Sequence, residues 1–318
     1  MSGESAAPPS RAPPQYVPSR YAPPERKQSF FDAINANKRN SWILIIGVCL
    51  IISGLCMFLG YIWDIGYYGF FLGIFIASIY AVFSYFLGSQ MVLALSGAKP
   101  VEKQDDPYLY NLVEGLALAA QIPAPKPYII EDPAMNAFAT GRDPQHSVIV
   151  VTRGLRDAMN RQELEGVIAH EMSHIANYDI RFMMLTIVMV GLVGFLSEII
   201  VRTFVFGGRR NERRGGGGVI VIVGLILAVV APIVAMMVRF AISRQREYLA
   251  DASAVQLTRY PDGLKNALIK IQNNPQRVHT ATETTAPMYF ADPIGKRLVG
   301  LFATHPPIEE RIKRLTSF

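Results

Sequence analysis

Between Trp42 and Trp63 the sequence runs for 22 residues without a charged side chain, with a tryptophan at each end. About 20 apolar residues in a helix cross the hydrocarbon core of a bilayer. Backbone in lipid must satisfy its own hydrogen bonds, which a helix does. The run therefore predicts a membrane helix with interfacial tryptophan anchors. Asp64 and a short Gly/Tyr turn follow, and a second span is expected from Tyr67 to about Leu95. Lys38 and Arg39 precede this hairpin and Lys99 and Lys103 follow it, while the turn carries only Asp64. The excess of basic residues on cytoplasmic flanks puts both ends of the hairpin in the cytoplasm.

Composition agrees. Hydrophobic residues make up 51% of the 318 and charged residues 18%, with a mean hydropathy of +0.24. That is too apolar for an ordinary soluble domain of this length. The net charge of +6 comes without a nucleic-acid recognition motif. Much of it lies at the ends of apolar runs, where anionic lipid and topology account for it. A lipid bilayer is expected as partner, and nucleic acid is not. Cys49 and Cys56 are seven residues apart on one helix, about 10 Å of rise, too far for a disulfide. No cleavable signal peptide is expected, because the polar, proline-rich start leads into an apolar run too long for one.

Five segments follow. Residues 1–40 are expected as a cytoplasmic tail, disordered where Pro, Ser and Ala dominate up to about residue 29. Residues 41–96 form the membrane hairpin. Residues 97–181 have the mixed character of a soluble half-domain, with an amphipathic helix at Asn111–Gln121 and short strands at Tyr128–Ile130 and Ser147–Val151. Residues 182–242 hold two more apolar runs, 182–206 and 219–242, joined by an Arg/Gly-rich loop. That loop opposes the positive-inside preference if both runs span, so the second hairpin either crosses the bilayer or is partly lifted from it. Glu198 is expected to snorkel or to pair with Arg202. Residues 243–318 are soluble in character, with helices at Asp262–Ile271 and Ile308–Leu315. His146 and His279 are expected at the surface without partners.

The chemistry lies in His170-Glu171-Met172-Ser173-His174. On the helix expected over Arg161–Asn177, residues at i and i+4 share a face, so both imidazoles can chelate one Zn²⁺. Glu171, beside the first histidine, is placed to act on water as a general base. A catalytic zinc needs a third protein ligand. A further histidine six residues after His174 is excluded, because position 180 is Ile and 177 is Asn. Glu247 in Arg246-Glu247-Tyr248-Leu249-Ala250-Asp251 is the best candidate. Asp251, again four residues on, can accept a hydrogen bond from the outer nitrogen of a ligand histidine.

These elements, with Asn136-Ala137-Phe138-Ala139-Thr140-Gly141, Ala176-Asn177-Tyr178-Asp179 and Thr304-His305-Pro306-Pro307-Ile308-Glu309-Glu310-Arg311, resemble the HtpX family of bacterial membrane zinc peptidases, relatives of the CAAX prenyl endopeptidases. The resemblance spans roughly residues 30–318. It implies a mainly α fold with a small β-sheet, an integral-membrane zincin-like (gluzincin) peptidase with about four transmembrane helices. It implies one zinc per chain and endoproteolysis of membrane or unfolded polypeptides in quality control, from the bacterial inner membrane with the active site facing the cytoplasm. It also implies that Asn136 borders the substrate cleft and that the strand at Val148–Val151 offers its edge to an extended substrate. His305 or Arg311 would stabilise the transition state or hold Asp251. A non-catalytic scaffold or chaperone with a structural zinc is the rival from another class. A prenyl-protein endopeptidase is the closer one, disfavoured because only four long apolar runs are present.

Overall fold

The structure, a computed structural model, describes residues 30–62, 64–201, 244–282, 284–294 and 306–317. The Glu198–Arg202 pairing, the Arg/Gly-rich loop, the fourth apolar run and His305 lie outside these residues.

The first two apolar runs form α1 (Phe30–Ile62) and α2 (Tyr68–Ser96). Both are long and apolar enough to cross a membrane. They pack as a hairpin along a stripe of small residues. A Cβ on Gly73 would lie 2.6 Å from Ser53 Cα and 2.8 Å from Cys56 Cβ, so only glycine permits this approach. Outward, Phe71, Phe75, Ile79 and Val82 are exposed, as lipid-facing side chains would be. The tail expected to reach residue 40 is helical from Phe30. Its last two turns remain helical because Asn37 and Ser41 are buried against the rest of the protein rather than solvated.

A four-stranded sheet follows, in the order β1-β2-β4-β3, built from β1 (Lys99–Pro100), β2 (Lys126–Ile130), β3 (Ala137–Gly141) and β4 (Ser147–Thr152). β4 pairs parallel with β2 on one side and antiparallel with β3 on the other. This corrects the expectation that Val148–Val151 offers a free edge: both of its edges are already in ladders, and the outer strand beside it is β3.

Helix α3 (Pro107–Ala120) starts earlier than its apolar pattern implies. Asp106 accepts the Leu109 amide as N-cap, and Pro107 occupies a first-turn position where no N–H is required. A short α4 (Arg153–Ala158) leads to α5 (Arg161–Ala176), which opens with a reciprocal capping box between Asn160 and Glu163. α5 is buried along most of its length, under α3, β3, α7 (Arg244–Thr258) and α8 (Pro261–Asn273). Gly166 lets α8 approach, since a Cβ there would lie 2.6 Å from the Leu264 amide nitrogen. The third apolar run forms α6 (Asp179–Val201), and the chain ends in α9 (Ile308–Leu315).

Three core clusters form among the described residues. Leu109, Val113, Ile149, Leu164, Ile168 and Leu268 belong to the one around α5. Leu44, Val48 and Ile52 of α1, Ala77 of α2, and Phe182, Leu185 and Met189 of α6 form the second. Val92 and Leu93 of α2, Phe138 and Val150 of the sheet, Ile187 of α6 and Tyr289 form a third between them. α5 runs directly into α6 through Asn177 and Tyr178, so the motif helix joins the first cluster to the second.

Candidate metal centre

His170 and His174 project from one face of α5, and Glu247 meets them from the first turn of α7. The two Nε2 atoms are 3.2 Å apart. Glu247 Oε2 lies 3.5 Å from His170 Nε2, and Oε1 lies 3.6 Å from His174 Nε2. Each histidine has a carboxylate on its other nitrogen. His170 Nδ1 is 2.9 Å from Asp251 Oδ1, and His174 Nδ1 is 2.9 Å from Asp179 Oδ2. A carboxylate only accepts, so both Nδ1 atoms carry protons and both Nε2 atoms turn lone pairs toward the same point.

Lone pairs facing each other at 3.2 Å repel unless a proton or a metal cation lies between them. The fit to a metal ion follows from distance as well. Ligands about 2.1 Å from a tetrahedral ion are about 3.4 Å from one another, close to the three separations found. Two imidazoles and one carboxylate leave one position of a tetrahedron open.

The electrostatics carry the same demand for positive charge. Burial alone would lower the His174 pKa. The hydrogen bond to Asp179 and the charges of Glu247, Asp179 and Glu171 outweigh it and raise the value to about 9. Burial likewise pushes the Glu171 carboxyl up, and the Glu247 charge adds to that, against the pull of His170, His174 and Arg311. A carboxylate raised in this way, lining the same small cavity as the donor atoms, is a stronger base than an ordinary one.

Asp251 is itself held from behind. Arg311 is fully buried and donates from Nη2 to Oδ1 at 2.7 Å and from Nε to Oδ2 at 3.0 Å. Its Nη1 reaches the Phe290 carbonyl at 3.1 Å. Burial raises the Asp251 pKa, but the Arg311 charge and the His170 hydrogen bond pull it down to about 2. Of the two roles open to Arg311, the geometry is that of holding Asp251.

Asn136 is buried and does not line the cavity. Its amide bonds both backbone groups of Ala291, donating to the carbonyl at 2.9 Å and accepting from the N–H at 3.1 Å. It thereby anchors the segment whose Pro287, Met288, Tyr289 and Phe290 line the cavity together with Ile180 and Met183 of α6. His146 and His279 are exposed, but each has an acidic partner, Asp143 at 2.7 Å and Asp132 at 2.8 Å, correcting the expectation of none.

Asp179 is the residue that periodicity misses. It follows α5 through Tyr178, whose φ of 61° folds the chain back so that the first residue of α6 faces the helix just left. No helical spacing encodes that return. Its one sequence signal is the shared Asn177-Tyr178-Asp179 string.

Residues 103–318 match the peptidase family M48 profile. Among curated proteins, the chain is 46% identical over 288 residues to a protease HtpX homolog of Dictyoglomus turgidum, covering 90% of this chain and 94% of that protein. It is 43% identical over 295 residues to a protease HtpX homolog of Streptococcus thermophilus, covering 90% and 98%. Among solved structures, that of S. mikatae Ste24p superposes with a TM-score of 0.49 at 19% identity, covering 90% of this chain and 67% of that one.

Proposed function

This chain belongs to peptidase family M48 as an HtpX homolog, and from that premise we propose a zinc-dependent membrane endopeptidase that cleaves misfolded or unfolded membrane polypeptides from the cytoplasmic face of the bacterial inner membrane. The observation that carries the reading is the convergence of the His170, His174 and Glu247 donors beside the buried carboxyl of Glu171.

When bound, zinc supplies Lewis acidity, polarising the peptide carbonyl and lowering the pKa of a water toward about 7. His170, His174 and Glu247 would hold it, with Asp251 and Asp179 fixing the two imidazole tautomers. Glu171 takes a proton from the attacking water and returns it to the leaving amine. Arg311 keeps Asp251 ionised and oriented, which leaves His305 as the candidate for transition-state support.

The cavity walls support an unfolded polypeptide as substrate. The alternation of an antiparallel ladder turns the N–H and C=O of Ala139 away from β4, toward the cavity it lines. The Ala137 carbonyl, facing the same way, already accepts the Phe290 amide. An extended chain laid beside Ala139 would add a strand, which requires unfolded substrate. Ile180, Met183, Met288 and Phe290 favour an apolar side chain there. Two helices able to span the bilayer and a cavity at the foot of α6 support action next to the membrane.

The test uses full-length protein in detergent, with bound zinc measured by elemental analysis and cleavage assayed on an unfolded membrane protein. Wild type and Glu171→Gln should each hold one zinc per chain, with only wild type cleaving. Glu247→Ala should lose zinc. Equal cleavage by both zinc-loaded forms removes Glu171 from the chemistry; full zinc without cleavage by either makes the centre a structural one.

A further inference from the structure

We propose that Asn37, on the membrane-hairpin helix α1, is a positioning residue for the metal centre: its amide orients Asp179, and Asp179 fixes the tautomer and direction of His174. The inference rests on the reading of His174 as a zinc ligand.

Asn37 is buried, 4% exposed, and its Nδ2 makes two hydrogen bonds across the molecule. One goes to the Asn177 carbonyl at 3.0 Å and the other to Asp179 Oδ1 at 2.6 Å. The first caps a carbonyl left over at the C-terminus of α5, and the second grips the first residue of α6. The neighbouring Lys38 lies 4.3 Å over the ring of Tyr178, the residue between them. Consecutive α1 residues thus engage all three positions of the turn leaving the motif helix.

Burying an amide is unfavourable unless its hydrogen bonds are made. Those of the Asn37 Nδ2 are made to the Asn177 carbonyl and to the carboxylate that holds His174. Asp179 divides its oxygens: Oδ2 takes the His174 Nδ1 proton and Oδ1 takes the Asn37 amide. With both anchored, the plane of the carboxylate is set, and so is the imidazole. Arg246 Nη1 lies 3.7 Å from the same Oδ1. Without the Asn37 donor the carboxylate is free to turn toward that guanidinium and away from His174. Partners of this kind are worth about 10–100-fold in metal affinity, and Asn37, one bond further out, belongs at the lower end.

The consequence is a dependence of the zinc site on docking of the membrane hairpin. α1 is fixed against α6 by Leu44, Val48 and Ile52, packed with Phe182, Leu185 and Met189. Asn37 is where that packing reaches the chemistry.

The experiment measures zinc affinity by chelator competition on full-length protein in detergent. It compares wild type, Asn37→Leu, Asn37→Asp, Asp179→Ala and the Asn37→Leu/Asp179→Ala double variant, with the thermal midpoint of each metal-free form recorded alongside. Leucine keeps the branching of the side chain and removes the donor, so a packing role alone would largely tolerate it. Aspartate keeps the shape and sets carboxylate against carboxylate. The expected result is a loss of about tenfold for Asn37→Leu, at least as much for Asn37→Asp, and 10–100-fold for Asp179→Ala. The double variant should be no weaker than Asp179→Ala, because both changes act on one path. Zinc affinity within twofold of wild type in Asn37→Leu overturns the proposal, and so do losses that multiply in the double variant. Should Asn37→Leu fail to fold, Asn37→Asp decides by the same limits. If wild type itself takes no zinc, the site reading fails and this inference falls with it.

Discussion

Arg311→Met removes the one guanidinium that neutralises Asp251 inside the protein. Arg311 is 0% exposed and Asp251 4%, so no solvent replaces what is lost. The hydrogen bonds to both Asp251 oxygens and to the Phe290 carbonyl disappear, and the 3.3 Å contact with His170 Nδ1 and the stacking of the guanidinium 4.6 Å above the Phe290 ring go with them. Removing one partner of a buried ion pair costs about 3–5 kcal/mol. The electrostatics point the same way: burial raises the Asp251 pKa, yet the Arg311 charge and the His170 hydrogen bond bring it to about 2 from an ordinary 3.8. That gap corresponds to about 2–3 kcal/mol. It is smaller because part of what Arg311 provides offsets the penalty of burial before any net lowering appears. The larger figure is the relevant one for deletion. At about 2–4 °C per kcal/mol, the thermal midpoint of metal-free protein in detergent should fall by about 6–20 °C. Arg311→Met/Asp251→Leu removes the stranded charge as well and should recover most of that loss while still weakening zinc binding. A loss under about 1 kcal/mol in the single variant, or a double variant no more stable than the single, refutes the reasoning.

Gly73→Leu should push α1 and α2 apart and lose about 1–3 kcal/mol, whereas Gly54→Leu, with nothing within 4 Å of its Cβ, should be near neutral; detergent thermal midpoints compare them. Asp106→Asn keeps the N-cap of α3 but breaks the paired bonds from Arg156 at 2.6 and 3.0 Å. Burial raises the Asp106 pKa, but Arg156 and the Leu109 amide pull it below 3.8. Its contribution of about 2 kcal/mol is therefore complete above that pH and lost as pH falls through the lowered value, so wild-type and variant midpoints should converge in acid and differ at pH 7. Asn136→Ala frees Ala291 and the cavity wall beside it, so cleavage should fall on the order of tenfold with zinc content unchanged; lost zinc would contradict the separation drawn between wall and metal.

What the sequence made legible is what lies within one helical turn. His170 with His174, and Glu247 with Asp251, are i,i+4 pairs, and the period of 3.6 places each pair on one face without knowledge of the fold. The apolar runs of α1 and α2 were equally plain, because length and lack of charge decide them. The strands were only half readable. β4 alternates little because it is buried between two neighbours, and nothing in Ser147–Thr152 says which strands those are. β3, Ala-Phe-Ala-Thr-Gly, is buried at all five positions and shows no period of two. The Asp143–His146 contact was within reach, as Asp143 caps the turn three residues before His146. The bond of His279 to Asp132 and that of Asn37 to Asp179 join positions more than 140 residues apart, so only the fold shows them.

Those long-range contacts divide the centre between two bodies. His170 is held by Asp251 and Arg311, from α7 and α9 of the soluble half. His174 is held by Asp179 at the start of α6 and by Asn37 of α1, one of the two helices able to cross a membrane. The two supports differ in kind. The first contains a buried charge pair inside a packed core, so damage to it registers as instability even without metal. The second ends in a neutral amide at the junction of the two bodies, and its loss strands no charge. Defects on the soluble side should therefore appear in both the metal-free midpoint and zinc affinity, and defects on the membrane side mainly in affinity. A peptidase built this way reads the docking of its membrane hairpin through one histidine and the integrity of its soluble core through the other.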